Sequence, residues 1–401
     1  MAAEPVLPWD TRVLVGAESA FGTVPDPTAA QALEFISIDT GPVELGEVRP
    51  KKDRNAGRGM TNGYVIGRVK PLPWSLDVSV KTRTAVATVP NESALYKACG
   101  LTQTVNGGTN VTYSLSGAPV QDASFASISL YRALGLGTGS TSSRYFAEQL
   151  RGGIVKQLTI TGGDRELMYK FSGEAIGKYH LGYSSSLTTA DGVSTTLTFG
   201  SAEEAYRFDQ GWYQWESEII KITSDMAAGA TTATMARAQL SSSGAAHSAK
   251  PLVPYLPAIA YTGSPIPETT CSVVCDSQTI RFTGFEISFT TGMEMGPGET
   301  GSAFVQTPIV KRNNVSVTLK GMMRREDVAL LGKAKRKLTP VAVVIACGTG
   351  VGGIVTFNLP FCEVNAMSVP DNANDVAMWS VTLRARDNAA AGNDMMTIVC
   401  T

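Results

Sequence analysis

The chain has 401 residues, a formal net charge of −1, only 17% charged residues and 40 glycines. So neutral a balance excludes a general basic field that would hold nucleic acid or an anionic membrane, and the scarcity of Glu, Lys and Arg favours strands and turns over surface helices. Six cysteines are too few for a disulfide scaffold, so free thiols are expected.

The opening "MAAEPVLPWDTRVLVG" carries no basic start followed by an apolar run, and no stretch approaches the roughly 18 apolar residues of a membrane span. Neither a signal peptide nor membrane insertion is expected, and the protein is expected to be made and used in a cytoplasm. Residues 1–35, with Pro and Gly at short intervals, read as loop. From Val65 the text turns to strands: in "PWSLDVSVKT", Trp74, Leu76, Val78 and Val80 alternate with Ser75, Asp77 and Ser79, which puts one set on a buried face. In "PNESALYKACGL" an Asn stands at an expected N-cap, Leu95, Ala98 and Cys99 fall at helical spacing, and Gly100 follows at a C′-like position. That pattern predicts one short amphipathic helix. Strands follow at "VTYSL" and "ASISLYRAL", then "GGIVKQLTITGG" and "ELMYKFSGEAIG" predict a hairpin turning at Gly162 and Gly163.

Near Thr279 the same order begins again. "TIRFTGFEISFTTG" and "NNVSVTLKGMM" alternate as strands, "RREDVALLGKAKRK" places Val328 and Leu331 at helical spacing, and four further strands run to the C-terminus. "WSLDVSVKT" before "ESALYKACG" parallels "VSVTLKGMM" before "EDVALLGKA", and "KQLTITGGDRELMYKFSGEA" parallels "NAMSVPDNANDVAMWSVTLRA". A duplication is expected, with a first domain at 1–186, a second at 257–401 and an inserted small β-module at 187–256 that has no counterpart in either half. The fold class expected is mainly β: two like domains, each with one short helix, plus the module.

Chemistry finds little support. Gly348, Gly350 and Gly353 satisfy GxGxxG after an apolar strand, but the following "IVTFNLPF" is β-branched and aromatic where a phosphate-binding helix should start, so a hairpin turn is favoured over a nucleotide site. His180 and His247 have no ligand or triad partner at motif spacing, and a G-x-S-x-G elbow is absent. Glu203 with Glu204, and Glu294 with Glu299, lie in turn-rich text and read as solvated loops rather than acid/base pairs. Cys271 and Cys275 form a CxxxC without a second pair, which reads as small strand residues and not as a zinc site. No catalytic, cofactor or metal residue is expected. Lys51, Lys52, Arg54 and Arg58 share a Gly-bearing loop, and Arg324, Arg325, Lys333, Lys335, Arg336 and Lys337 surround the second helix. Without interleaved aromatics for base stacking, a subunit contact or solvated face is favoured over sequence-specific nucleic-acid binding.

The order "GAESAFGTVPDPTAAQALEFISID", a polar loop through "ELGEVRPKKDRNAGRGM", "GRVKPLPWSLDVSV", "ESALYKACGL" and the hairpin resembles the tail tube proteins of long-tailed bacteriophages. The resemblance covers roughly 1–180 and 265–401 and is most specific at "SAFGTVP" and "ALYKACGL". It implies two tail-tube-type β-sandwich domains, each with one short flanking helix, in a structural virion protein, assembled in the host cytoplasm, that stacks as rings into a tube carrying phage DNA through its lumen without sequence specificity. It further implies six tube domains per ring, partner tail proteins, and an inter-ring contact by the loop at about 40–63, which includes Lys51, Lys52, Arg54 and Arg58. With a duplicated domain, three chains would make a ring of pseudo-sixfold symmetry, with a hexamer of chains as the alternative. The module is expected on the tube exterior, since about 70 residues would obstruct a lumen. A distal tail or tail-terminator protein, and a nucleotide-binding enzyme built on the 348–353 turn, are the competing expectations.

Overall fold

The computed structural model describes residues 11–41, 45–48, 65–83, 85–115, 126–134, 146–163, 165–189, 192–205, 207–227, 229–259, 261–296, 308–311, 313–322, 332, 340–368, 372–373, 376–387 and 395–401. The fold is mainly β, with two short helices, Ser93–Ala98 and Ala202–Ala205, among the described residues. The chain forms two compact units, one of Met1–Glu34, Ser127–Gly153 and Ala175–Ala260, the other of Phe35–Ala126, Ile154–Glu174 and Tyr261–Thr401.

The second unit contains an eight-stranded antiparallel sheet. Its strands in chain order are β1 (Phe35–Thr40), β2 (Leu72–Ser79), β3 (Phe146–Gly162, of which 154–162 belong here), β4 (Met168–Ala175), β5 (Gly284–Thr290), β6 (Asn314–Met322), β7 (Val355–Ser368) and β8 (Val376–Ala385). They lie side by side as β1-β2-β4-β3-β5-β6-β8-β7. The first four and the last four therefore have one strand order. The likeness extends to detail, because β3 and β7 each bulge by one residue, at Lys156 and at Asn365, where they pair with β4 and β8.

Alternation drives this sheet. Leu76, Val78, Leu158, Ile160, Val317 and Leu319 are buried on one face, while Ser75, Asp77, Thr159, Ser288, Ser316 and Thr318 occupy the alternate positions on the other. The buried face packs on a second sheet in which Leu101–Asn106, Asn110–Leu115, Thr397–Cys400, the first half of β7, Val341–Cys347, Ser272–Cys275 and Gln278–Ile280 follow one another. Tyr169 of β4 meets Phe357 edge-on, with ring centroids 6.4 Å apart, across the two layers. The unit is a β-sandwich, and β7 belongs to both sheets.

In the first unit, Thr11–Ala17 pairs along its length with Ile128–Leu134, which pairs in turn with residues 146–153. Residues 1–35 were expected to be loop; the strand escapes a pattern search because Val13, Leu14 and Val15 are all buried, so nothing alternates. A six-stranded sheet spans Ser184–Pro254, including the antiparallel pair Glu218–Ile222 and Thr232–Ala236 in the expected module. Its core residues Phe208, Tyr213, Trp215, Ile220 and Leu252 form one cluster with Leu14, Tyr131, Ala133 and Ala147. The compact units thus cut across the expected bounds 1–186, 187–256 and 257–401, because the 187–256 segment buries its apolar face against residues from far earlier in the chain.

Candidate assembly surface

The eight-stranded sheet has two ends. Among the described residues β1 pairs only with β2, and the 363–368 part of β7 pairs only with β8. Unpaired strand edges are templates for further strands. In the middle of the sheet, β3 and β5 show how two four-stranded halves join: Gln157 lies opposite Thr290 and Gly162 opposite Phe285. Gln157 donates its side-chain amide to Ser288 Oγ at 3.1 Å. Thr291 is buried and closes the bulge, its N–H donating to Lys156 O at 3.0 Å and its hydroxyl to Val155 O at 2.7 Å. Gly162 lacks a side chain because Phe285 lies across it: a Cβ there would crowd Phe285 Cε1 and sit 2.8 Å from Cζ. Sequence reading missed this junction. Its one signal was Gly162 ending a β-branched strand.

Helix α1 (Ser93–Ala98) flanks the sandwich. Leu95, Ala98 and Cys99 are buried. So is Tyr96, whose ring stands 4.7 Å from that of Tyr113 and 5.8 Å from that of Tyr169, so the helix buries more of its surface than the spacing of three residues indicated. The expected N-cap Asn91 is displaced by Glu92, which makes no side-chain capping bond, and Gly100 takes the C′ position with φ of +81°. Burial raises the Glu92 carboxyl above its ordinary range, while the charge of Arg83 pulls the other way. Val328 and Leu331 of the second expected helix lie outside the described residues, as do Lys51, Lys52, Arg54 and Arg58. At the base of that basic loop, Leu45–Val48 pairs with Val65–Val69 as a two-stranded ribbon.

The stretch "GAESAFGTVP" is held by Glu18, whose carboxylate accepts from Ser127 Oγ at 2.5 Å, Ser129 Oγ at 2.6 Å, Gly22 N at 2.7 Å and Gly152 N at 2.8 Å. This is a structural use of a carboxylate. The Gly348–Gly353 turn joins Val341–Cys347 to β7, antiparallel strands of one hairpin, with positive φ at Gly348, Gly350 and Gly352; no helix N-terminus follows it to face a pyrophosphate.

His247 has no ligand or triad partner at motif spacing, but the fold brings its Nδ1 to 2.9 Å from Glu216 and its Nε2 to 2.8 Å from Glu218, and its ring stacks on Trp215 at 4.4 Å. Arg237 completes the group by donating Nε to Glu218 at 2.9 Å. Burial drives the Glu218 carboxyl up, but bonds from Arg237, His247 and the N–H groups of Ala238 and Ala245 outweigh it and hold it at about 2. The available signal was Glu216 and Glu218 at strand spacing. Among the described residues no cluster of His, Cys, Asp or Glu could hold a metal ion.

No protein-family model matches the chain. No curated protein matches it. Among solved structures, it is similar to the anti-feeding prophage cap, a tube-terminating cap determined by cryo-EM, with 16% identity and a TM-score of 0.28 over 36% of this chain and 97% of that one.

Proposed function

We propose that this chain is a structural subunit of a phage-type tail tube, three copies closing one ring through which genome DNA passes into the host. The observation that carries the proposal is the eight-stranded sheet built of two four-stranded halves of identical order, joined at β3–β5, with β1 and the 363–368 part of β7 each paired on one side alone among the described residues. The β3–β5 junction is the pattern for the contact between chains: β7 of one copy adds to β1 of the next, as β3 adds to β5. The two bulges match Gln157 with Ala366 and hence Thr159 with Ser368, while the pairs Ile287–Val317 and Ile38–Leu76 match Ser288 with Asp39. Since Thr159 faces Ser288 within the chain, Ser368 faces Asp39 of the neighbouring copy. Three chains then supply six repeats and leave no free edge. The Ser- and Thr-rich face of the sheet suits a lumen wall past which DNA slides without being read, and the resemblance at "SAFGTVP" and "ALYKACGL" supports the same role. The role is structural, without catalysis or cofactor; other tail proteins cap and anchor the tube, the 187–256 segment lies on its exterior, and the virion tail is its final location after assembly in the host cytoplasm.

The test is a chain carrying Asp39→Cys and Ser368→Cys, assembled and oxidised. Covalent species should build to three linked chains and stop there on a non-reducing gel, while negative-stain images show stacked rings of constant diameter. Six linked chains, or rings without links, would overturn the trimer; rings that close singly and never stack would favour a terminator.

A further inference from the structure

We infer that Cys271 and Cys347 are a cross-strand pair built to be oxidised to a disulfide. Ser272–Cys275 and Val341–Cys347 run antiparallel with Ser272 opposite Ala346, a register that sets Cys271 opposite Cys347. The Cys271 N–H donates instead to Glu268 O at 2.8 Å, and Gly348 N–H to Thr270 Oγ1 at 3.1 Å. The two cysteines therefore occupy the kind of position that exchanges no ladder hydrogen bonds, where opposed Cα atoms come within about 4.5 Å, inside the window a disulfide needs. The neighbouring Cys271 thiol, with burial, pushes the Cys347 thiol up.

Access separates Cys271 from the other cysteines, Cys347 included, and makes it the point of entry. Cys271 is half-buried and reachable, whereas Cys99, Cys275, Cys362 and Cys400 are all buried. Burial pushes Cys275 and Cys362 up to about 12 and Cys400 up to about 11, and in strand register none of these three stands opposite another cysteine. The co-reactant is a small disulfide of the glutathione class. Cys271 Sγ, giving up its proton, attacks one sulfur of that disulfide, whose S–S bond breaks and releases one thiol. Cys347 Sγ, giving up its proton, then attacks Cys271 Sγ; the S–S bond to the small thiol breaks, and the second small thiol leaves with the proton. Two protein thiols are oxidised and one small disulfide is reduced to two thiols. The geometry stands without the assembly proposal. The moment of closure rests on it, since a tail released from a reducing cytoplasm meets oxidant only afterwards.

The experiment treats the full chain with oxidised glutathione and follows it by intact mass and peptide mapping. The expected product loses two hydrogen masses and two alkylatable thiols and yields one linked peptide pair, Cys271 to Cys347. Cys347→Ser should stop at a glutathione adduct on Cys271, and Cys271→Ser should give neither adduct nor link. A wild-type chain that stops at the adduct, links another pair, or keeps all its thiols overturns the inference, whether or not the protein forms rings.

Discussion

Adding one methyl at Gly162 should cost stability only while Phe285 is present. The residues face each other across the β3–β5 junction, and a Cβ at Gly162 would press on the ring at Cε1 and at Cζ, 2.8 Å away. Phe285 is only 4% exposed, so it has little room to swing aside. Overpacking of this kind costs about 1–3 kcal/mol, the value expected for Gly162→Ala. Phe285→Ala alone should cost about 3–5 kcal/mol as a large-to-small core change. In the double variant the new methyl enters the space the ring vacated, and alanine is preferred over glycine within a strand by about 0.5–1 kcal/mol; Gly162→Ala should therefore be neutral or mildly stabilising there. Urea unfolding of the four chains gives the coupling, expected at about 1 kcal/mol or more. Equal cost of Gly162→Ala in the wild-type chain and in the Phe285→Ala background would show that the ring is not what excludes a side chain.

Leu95→Ala, at a fully buried helix position, should lower stability by about 2–5 kcal/mol in the same assay; a loss under about 1 kcal/mol would mean the helix does not seal the core. Gly100→Ala, at φ of +81°, should cost about 1 kcal/mol at the helix C′ position, measurable as a lower unfolding midpoint. For pH, the Glu218 carboxyl sits at about 2 in the folded chain, below its ordinary 4.5. Its stabilising contribution is complete above the ordinary value and fades as pH falls from there towards 2. Glu218→Gln should flatten that acid limb and, by leaving buried Arg237 without its carboxylate, cost about 3–5 kcal/mol at neutral pH; Trp215 fluorescence between pH 2 and about 7 reads both effects, and an unchanged acid limb would exclude Glu218 as its cause.

Strands whose faces differ announced themselves. Leu76 and Val78 against Ser75 and Asp77, or Val317 and Leu319 against Ser316 and Thr318, alternate clearly enough to be found without coordinates. Val13–Val15, buried throughout, carries no period to detect. Compact units were harder, because Leu14, Tyr131 and Leu252 share one core across more than half the chain, and no local pattern records such a contact. The same limit hid the pairing of Cys271 with Cys347 and of His247 with Glu216 and Glu218, which lie 31 and 29 residues away in sequence. The parallel between "WSLDVSVKT" and "VSVTLKGMM" was visible early. That β2 and β6 hold corresponding places in one sheet became clear only from the strand order.

The halves of that sheet are alike in order but unlike in what they carry. In the second half β7 passes from the second sheet into the eight-stranded one without a break. In the first half, the chain between Asn110–Leu115 and the 154–162 part of β3 leaves to help build the other compact unit. A fused pair can bear such an ornament once, where two separate identical subunits would each have to carry it. Three such chains in one ring would then carry the ornament at every second repeat and leave the alternate repeats without it.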